Sequence, residues 1–229
     1  MKLLSFRNTE KDKVIKAANR LHEYYEEQRI WERTSWLGMP MWKLPFDAMV
    51  IQELIFRIEP NIIIETGTGR GGSALFYASL MELMGIVGRV ITIDVTERVN
   101  PFMLCQAASC IWSNYVKPIM GSSTDKKVID QVSTLIADKS RVLVLLDSWH
   151  SYDHVLKELS IYAPMVSEGS YIIVEDTHVS GHPIEWAWGK GPFEAVQTFL
   201  VENKNFELDK ECEKHIMTFN PCGYLKRIK

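Results

Sequence analysis

The apolar residues of this chain follow two rhythms, with a change near residue 60. In the first part they recur at helical spacing. Thr9-Glu10-Lys11-Asp12 resembles a capping box, and Val14, Ile15, Ala18, Leu21 and Tyr25 follow it. The pattern predicts an amphipathic helix from Thr9 to about Glu32. The stretch TSWLGMPMWKLP (34–45) interrupts it, too broken by Pro and Gly for a helix and too apolar for a loose linker. Asp47 then reads as the cap of a second helix carrying Met49, Val50, Ile51, Leu54, Ile55 and Ile58, which Pro60 stops.

From Asn61 onward, short unbroken aliphatic runs alternate with amphipathic segments. The predicted strands are Ile62–Glu65, Val90–Asp94, Val116–Met120, Val142–Leu146 and Tyr171–Val174. The predicted helices between them are Gly72–Met84, Pro101–Ser113, Lys126–Ala137 and Tyr152–Tyr162. Runs without polar alternation suit strands covered on both faces, and this alternation indicates βαβ units with a parallel sheet. A polar and aromatic loop, THVSGHPIEWAWGKG (177–191), leads to a helix near Phe193–Glu202. Two short extended pieces follow, about Phe206–Leu208 and His215–Phe219, too close together for a crossover helix. They predict a closing antiparallel hairpin and bring the strand count to seven.

Composition narrows the class without naming it. The chain has 229 residues, 46% hydrophobic and 24% charged, with a formal net charge of −3. That balance gives no reason to expect nucleic acid or an anionic membrane as partner. The N-terminus lacks an apolar core of signal-peptide length, and no segment approaches a membrane span. The four cysteines, Cys105, Cys110, Cys212 and Cys222, form no C-x-x-C pair. A cytoplasmic protein with free thiols is expected.

Candidate chemistry gathers at the carboxyl ends of the predicted strands, where open α/β sheets bind ligands. The first strand runs into Glu65-Thr66-Gly67-Thr68-Gly69-Arg70-Gly71-Gly72-Ser73, a literal G-x-G-x-x-G between a strand and a helix. Asp94 ends the next strand and could accept the two hydroxyls of a ribose. A nucleoside cofactor is expected, although a tight turn with a capping Asp would give the same letters. Glu65 beside the loop would repel a pyrophosphate but complement the cationic amino acid part of S-adenosylmethionine (SAM). SAM is therefore preferred to NAD(P). Ser122 and Ser123 follow the third strand and could meet an adenine edge or simply cap the next helix, as Asp125 could.

The remaining two strands end in acids: Asp147 after Val142–Leu146, and Glu175-Asp176 after Tyr171–Val174. Three carboxylates on adjacent strand ends repel one another unless a cation joins them. Oxygen donors of this kind favour a hard ion, Mg²⁺ above all. His150, three residues past Asp147, could accept a proton near such an ion. His154, His178 and His182 lie nearby, and spacing alone does not choose among them.

ETGTGRGGS, LLDSWHSYDHVLKEL, YAPMVSEGSYIIVEDT and GYLKRI together resemble the family named after cephalosporin hydroxylase, which includes rhamnosyl O-methyltransferases. The similarity runs from Thr34 to Ile228. It implies a single Rossmann-like class I methyltransferase domain with residues 1–45 as an N-terminal extension and 177–191 as an acceptor-side loop. It further implies SAM held by Glu65, Gly67, Ser73, Asp94, Ser122 and Ser123, and Mg²⁺ held by Asp147, Glu175 and Asp176. Similar macrolide-sugar methyltransferases carry a histidine three residues after the first metal acid, which implies His150 as the base. The acceptor implied is a small-molecule hydroxyl, on a sugar or a secondary metabolite. Trp36, Trp42, Trp186 and Trp188 could wall off water there. Three readings compete: an NAD(P)-dependent oxidoreductase; a ferrous oxygenase using Asp176, His178 and His182; and a SAM-binding scaffold. A homo-oligomer is expected from the amphipathic N-terminal helix.

Overall fold

The computed structural model of the chain describes residues 2–100, 103–184 and 189–229. Helix α1 spans Lys2–Glu27, followed by a 3-10 turn at Ile30–Arg33 and a two-residue ribbon, β1 (Ser35–Trp36) with β2 (Met39–Pro40). Helix α2 (Pro45–Ile58) leads into the alternation β3 (Ile62–Thr66), α3 (Gly72–Leu83), β4 (Arg89–Asp94), α4 (Gln106–Tyr115), β5 (Val116–Met120), α5 (Lys126–Leu135), β6 (Val142–Leu146), α6 (Tyr152–Tyr162) and β7 (Tyr171–Val174). Helix α7 (Pro192–Glu202) and strands β8 (Phe206–Leu208) and β9 (Tyr224–Arg227) complete it.

The seven-stranded sheet has the order β5-β4-β3-β6-β7-β9-β8. Only β9 runs against the rest, pairing antiparallel with both β7 and β8. This is the mostly parallel sheet with a C-terminal antiparallel hairpin expected from the sequence. Every residue of β3 and β6 is buried. The unbroken aliphatic runs have their reason in two cores. Ile62, Ile64, Val142, Val144 and Leu146 pack on one face with Val155 and Leu159 of α6 and Val196 of α7. Ile63, Leu143 and Leu145 pack on the other with Ile51 and Leu54 of α2 and Tyr77 of α3. Among the described residues, no helix is long and apolar enough to cross a membrane.

Four local expectations change. Helix α1 begins at Lys2, so Thr9–Asp12 lies within it and not at its cap; it ends at Glu27, before Arg29 turns left-handed (φ 48°). Helix α4 starts only at Gln106, and Pro101 of the expected start lies outside the described residues. The segment 215–219 is not a strand; the hairpin partner of β8 is Tyr224–Arg227. Met217 and Phe219 are buried, but they pack with Leu44 and against Tyr25 and Trp31, and the Phe219 N–H donates to Asp47 Oδ2 at 2.8 Å. Its backbone donor is therefore spent on a side chain instead of a ladder. Asp47, in turn, does not cap α2, whose N-cap position is Leu44 with Pro45 following it. Its buried carboxylate accepts from Thr218 Oγ1, the Phe219 N–H and the Tyr224 hydroxyl. It thereby ties α2 to the C-terminal hairpin, and burial raises its pKa despite those donors.

Replacing Asp47 by Ala would strand three buried donors, each left with an uncompensated desolvation cost of about 1–3 kcal/mol. A loss of about 3 kcal/mol or more in unfolding free energy is expected by chemical denaturation. A loss below about 1 kcal/mol would show that the carboxylate does not hold the hairpin.

Candidate active site

The register of the central strands builds the site. Thr66 stands opposite Leu146, and Leu146 opposite Val174, so the next residues, Gly67, Asp147 and Glu175, emerge side by side. Backbone bonds lock the row: the Asp147 N–H donates to Thr66 O and the Glu175 N–H to Leu146 O, both at 2.9 Å. Here the chain order reverses between β3 and β6, which is where open α/β sheets form their ligand crevice. A cavity of about 550 Å³ opens above this edge, within the range of small-molecule sites.

The glycines face the protein as much as the cavity. A Cβ on Gly67 (φ +87°) would lie 1.8 Å from the Asp147 carbonyl oxygen, and one on Gly72 2.3 Å from that of Pro40. Gly69 (φ +51°) has only the Trp42 ring near it, at 3.8 Å, and lines the cavity with Gly67, Thr68 and Ser73. Asp94 also lines it. Its Oδ2 accepts the Gly69 N–H at 3.0 Å and its Oδ1 the Thr96 N–H at 2.9 Å, so it staples the loop to β4. Ser122 and Ser123 lie on the same wall, with the Ser123 hydroxyl 3.3 Å from His154 Nε2. Asp125 caps α5 through the Lys127 N–H.

Glu65 is fully buried beneath the loop and not in the cavity lining. Its Oε2 accepts from the Thr92 hydroxyl at 2.6 Å, while Oε1 has no hydrogen-bond partner among the described residues. Burial pushes its pKa up to about 7, with Lys43 the chief opposing influence.

Lys43, which the sequence reading passed over, is only 2% exposed. Its ammonium donates to Asp147 Oδ2 at 2.9 Å and to Glu175 Oε2. Burial alone would lower its pKa, but Asp147 and Glu175 hold it well above the usual value. One ammonium serves two carboxylates, the buried Glu175 and the partly exposed Asp147. Burial lifts both while Lys43 pulls them back. No local pattern marks such a lysine. It sits in the Trp- and Pro-rich stretch after β2, and only the tertiary fold brings it to strand ends more than a hundred residues away.

Glu175, expected as a metal ligand, is therefore buried against Lys43. Asp147, His150 and Asp176 instead present donor atoms within 4.8 Å of one another. The division follows from backbone direction. Successive strand residues point to opposite sides, and Asp176 leaves the strand in a left-handed conformation (φ 54°). Its Oδ2 lies 3.1 Å from His150 Nε2. The other histidines separate: His154 sits by the Ser148 hydroxyl at 3.0 Å, and His182 pairs with Glu194 at 2.8 Å and stacks on Phe193, away from the cavity. His178 lines the cavity beside Glu26. Trp42 lines it too, together with Trp31 and Trp149, which were not anticipated. Trp36 instead donates to Ser79 and packs edge-on against Phe76. Trp186 and Trp188 lie outside the described residues.

Lys43 pairs with Asp147 and Glu175 only, Asp176 faces His150, and Glu175 Oε1 is buried without a hydrogen-bond partner among the described residues. The donor set thus fits a further divalent cation, Asp147 and Asp176 being the accessible oxygen ligands. Lys43→Met should cost about 3–5 kcal/mol by denaturant unfolding, because it strands the buried Glu175 carboxylate and takes the ammonium from Asp147. Lys43→Met/Glu175→Gln should recover part of that loss. Equal stabilities of wild type and single variant would contradict the pairing.

Comparisons with known proteins place this geometry. The family model described as rhamnosyl O-methyltransferase/CmcI matches residues 28–228. A rhamnosyl O-methyltransferase of Mycobacterium tuberculosis (strain ATCC 25618 / H37Rv) is 32% identical over 213 residues, covering 92% of this chain and 84% of the relative. That of Mycobacterium leprae (strain TN) is 30% identical over 214 residues, covering 92% and 90%. Among solved structures, CmcI with Mg and SAM superposes with a TM-score of 0.65 at 20% identity, covering 86% of this chain and 78% of that one. An O-methyltransferase from Bacillus cereus in complex with SAH gives 0.54 at 15% identity, covering 72% and 73%. These two likenesses bear on the fold, which is that of class I methyltransferases. With a family model covering most of its length and relatives aligned over nearly all of it, the chain belongs to the rhamnosyl O-methyltransferase/CmcI family.

Proposed function

We propose that the protein is a SAM-dependent O-methyltransferase that acts, with Mg²⁺ or another divalent cation, on a hydroxyl of a sugar or secondary-metabolite acceptor. The observation that carries this is the meeting of Asp147, His150 and Asp176 in the same cavity that the glycine loop and Asp94 line. Residues 1–229 act as one methyltransferase domain, with 1–45 as an extension and 177–191 as an acceptor-side loop.

When bound, SAM would supply the methyl group, and a cation held by Asp147 and Asp176 would acidify an acceptor hydroxyl. Gly67, Ser73 and Asp94 line the methionine and ribose end, and Ser122 and Ser123 the adenine end. Glu65, buried beneath the loop and behind Ser73, would act on a cationic amino group by its charge. Asp147 and Asp176 hold the cation, while Lys43 and Glu175 fix the direction of the Asp147 carboxylate. His150 accepts the acceptor's proton, and Asp176 beside it stabilises the imidazolium that results. Trp31, Trp42 and Trp149 exclude water and offer flat apolar faces to a sugar ring.

Two alternatives lose ground on geometry. Gly67 and Gly72 are required by the backbones of Asp147 and Pro40, so the G-x-G-x-x-G letters are no evidence for a pyrophosphate. His182 is paired with Glu194, which removes it from an iron site with Asp176 and His178. A cytoplasmic location is part of the proposal, supported by four cysteines that are all free. So is a homo-oligomer, supported by Val14, Ile15, Leu21 and Tyr24 exposed on α1.

Methyl transfer from SAM to a vicinal-diol glycoside should fall at least about a hundredfold in excess EDTA and return with Mg²⁺. His150→Ala should lower kcat by about 10²–10⁴-fold. Full activity in chelator removes the metal role, and an unimpaired His150→Ala removes the base.

A further inference from the structure

A second cluster lies beyond Asp176. His22 and Glu26 stand four residues apart on one face of α1, and His178 follows β7. Each offers a donor atom within 4.8 Å of the others. Glu26 and His178 line the large cavity, and His22 lines a smaller one beside Gly181 and His182, so the cluster forms the wall between them.

One buried atom of this wall lacks a partner, and one contact in it requires a positive charge. His22 is 3% exposed, and its Nε2 is buried with no hydrogen-bond partner among the described residues. His178 Nδ1 lies 3.0 Å from the Phe219 carbonyl and so carries the proton it donates there. That leaves the lone pair on Nε2, which nonetheless faces Glu26 Oε1 at 3.2 Å. Two acceptors meet unless a cation or a second proton lies between them. The bond from Nδ1–H to a backbone carbonyl is also the usual arrangement behind a metal-bound imidazole.

We propose that His22, Glu26 and His178 form a second cation site, for a borderline transition ion such as Zn²⁺, separate from the carboxylate site. Two imidazoles and one carboxylate suit such an ion and not Mg²⁺. Tetrahedral ligands about 2.0–2.1 Å from zinc stand about 3.3 Å apart, so the donors must draw together. The rings of His22 and His178 are stacked with centroids 4.8 Å apart and both stack on Phe219, so binding requires one ring to turn out of the stack. Asp176 joins the two sites, with Oδ2 toward His150 and Oδ1 3.6 Å from His178 Nδ1. A bound ion would tie α1 to the strand end that carries Asp176. The proposal does not depend on methyl transfer.

The test is Co²⁺ titration of the purified full chain, followed by visible absorption and by Zn²⁺ competition calorimetry. Wild type should bind one Co²⁺ with intense tetrahedral bands, and Asp147→Asn should keep them. His22→Gln and Glu26→Gln should each weaken that binding at least about tenfold while leaving Mg²⁺ affinity and the far-UV circular dichroism of the metal-free protein unchanged. Bands that persist in both variants, or that vanish in Asp147→Asn, would place the ion at the carboxylates and overturn the proposal. A wild type that binds no Co²⁺ would overturn it as well, leaving a proton between His178 and Glu26.

Discussion

The structure turns on one unfavourable requirement: four carboxylates, those of Glu65, Asp147, Glu175 and Asp176, gather at the carboxyl ends of β3, β6 and β7, strands buried on both faces. Desolvation opposes the ionisation of Glu65, Asp147 and Glu175, and a parallel sheet supplies no positive charge there. Lys43 answers part of that demand. Its ammonium reaches Asp147 and Glu175 from a segment that precedes the sheet, so that segment becomes part of the site. The demand left over is what makes the edge receptive to a further cation.

The same constraint explains the surrounding backbone. Gly67 must lack a side chain because the β6 strand end carrying Asp147 passes within contact distance, and Gly72 because the β2 end at Pro40 does. Asp47 meets Thr218, Phe219 and Tyr224 from the first turn of α2 and holds the C-terminal hairpin beside β7. Phe219 then stacks on His178 and His22, which continues the same chain of contacts to α1. The cavity walls are thus cross-linked by buried polar groups drawn from the extension, the switch point and the C-terminus.

Much of the sheet could be read from the chain because its signals are local. Unbroken aliphatic runs such as Val142–Leu146 mark two-sided burial, and a polar strand end is visible wherever such a run stops. The hairpin was misjudged because Met217 and Phe219 carry the apolar pattern of a strand while their burial comes from α1 and α2. The capping box at Thr9 likewise has the right letters inside a helix that starts earlier. Such letters describe what a residue can do locally and not which competing partner it finds.

The sequence by itself determined the alternation that forces a parallel sheet, the glycine turn after β3, and the positions of Asp94, Asp147 and Glu175-Asp176 at strand ends. Period and composition act over a few residues, and these features need nothing more. The tertiary structure alone decided that Lys43 faces Asp147 and Glu175, that Asp176 rather than Glu175 joins His150, and that His22 and Glu26 meet His178. Those pairings span from 26 to more than 150 residues, and the packing of the sheet and α1 enforces them. In a low-dielectric interior a charged group takes whichever partner the fold brings within reach, and only the assembled sheet and its N-terminal extension fix which one that is.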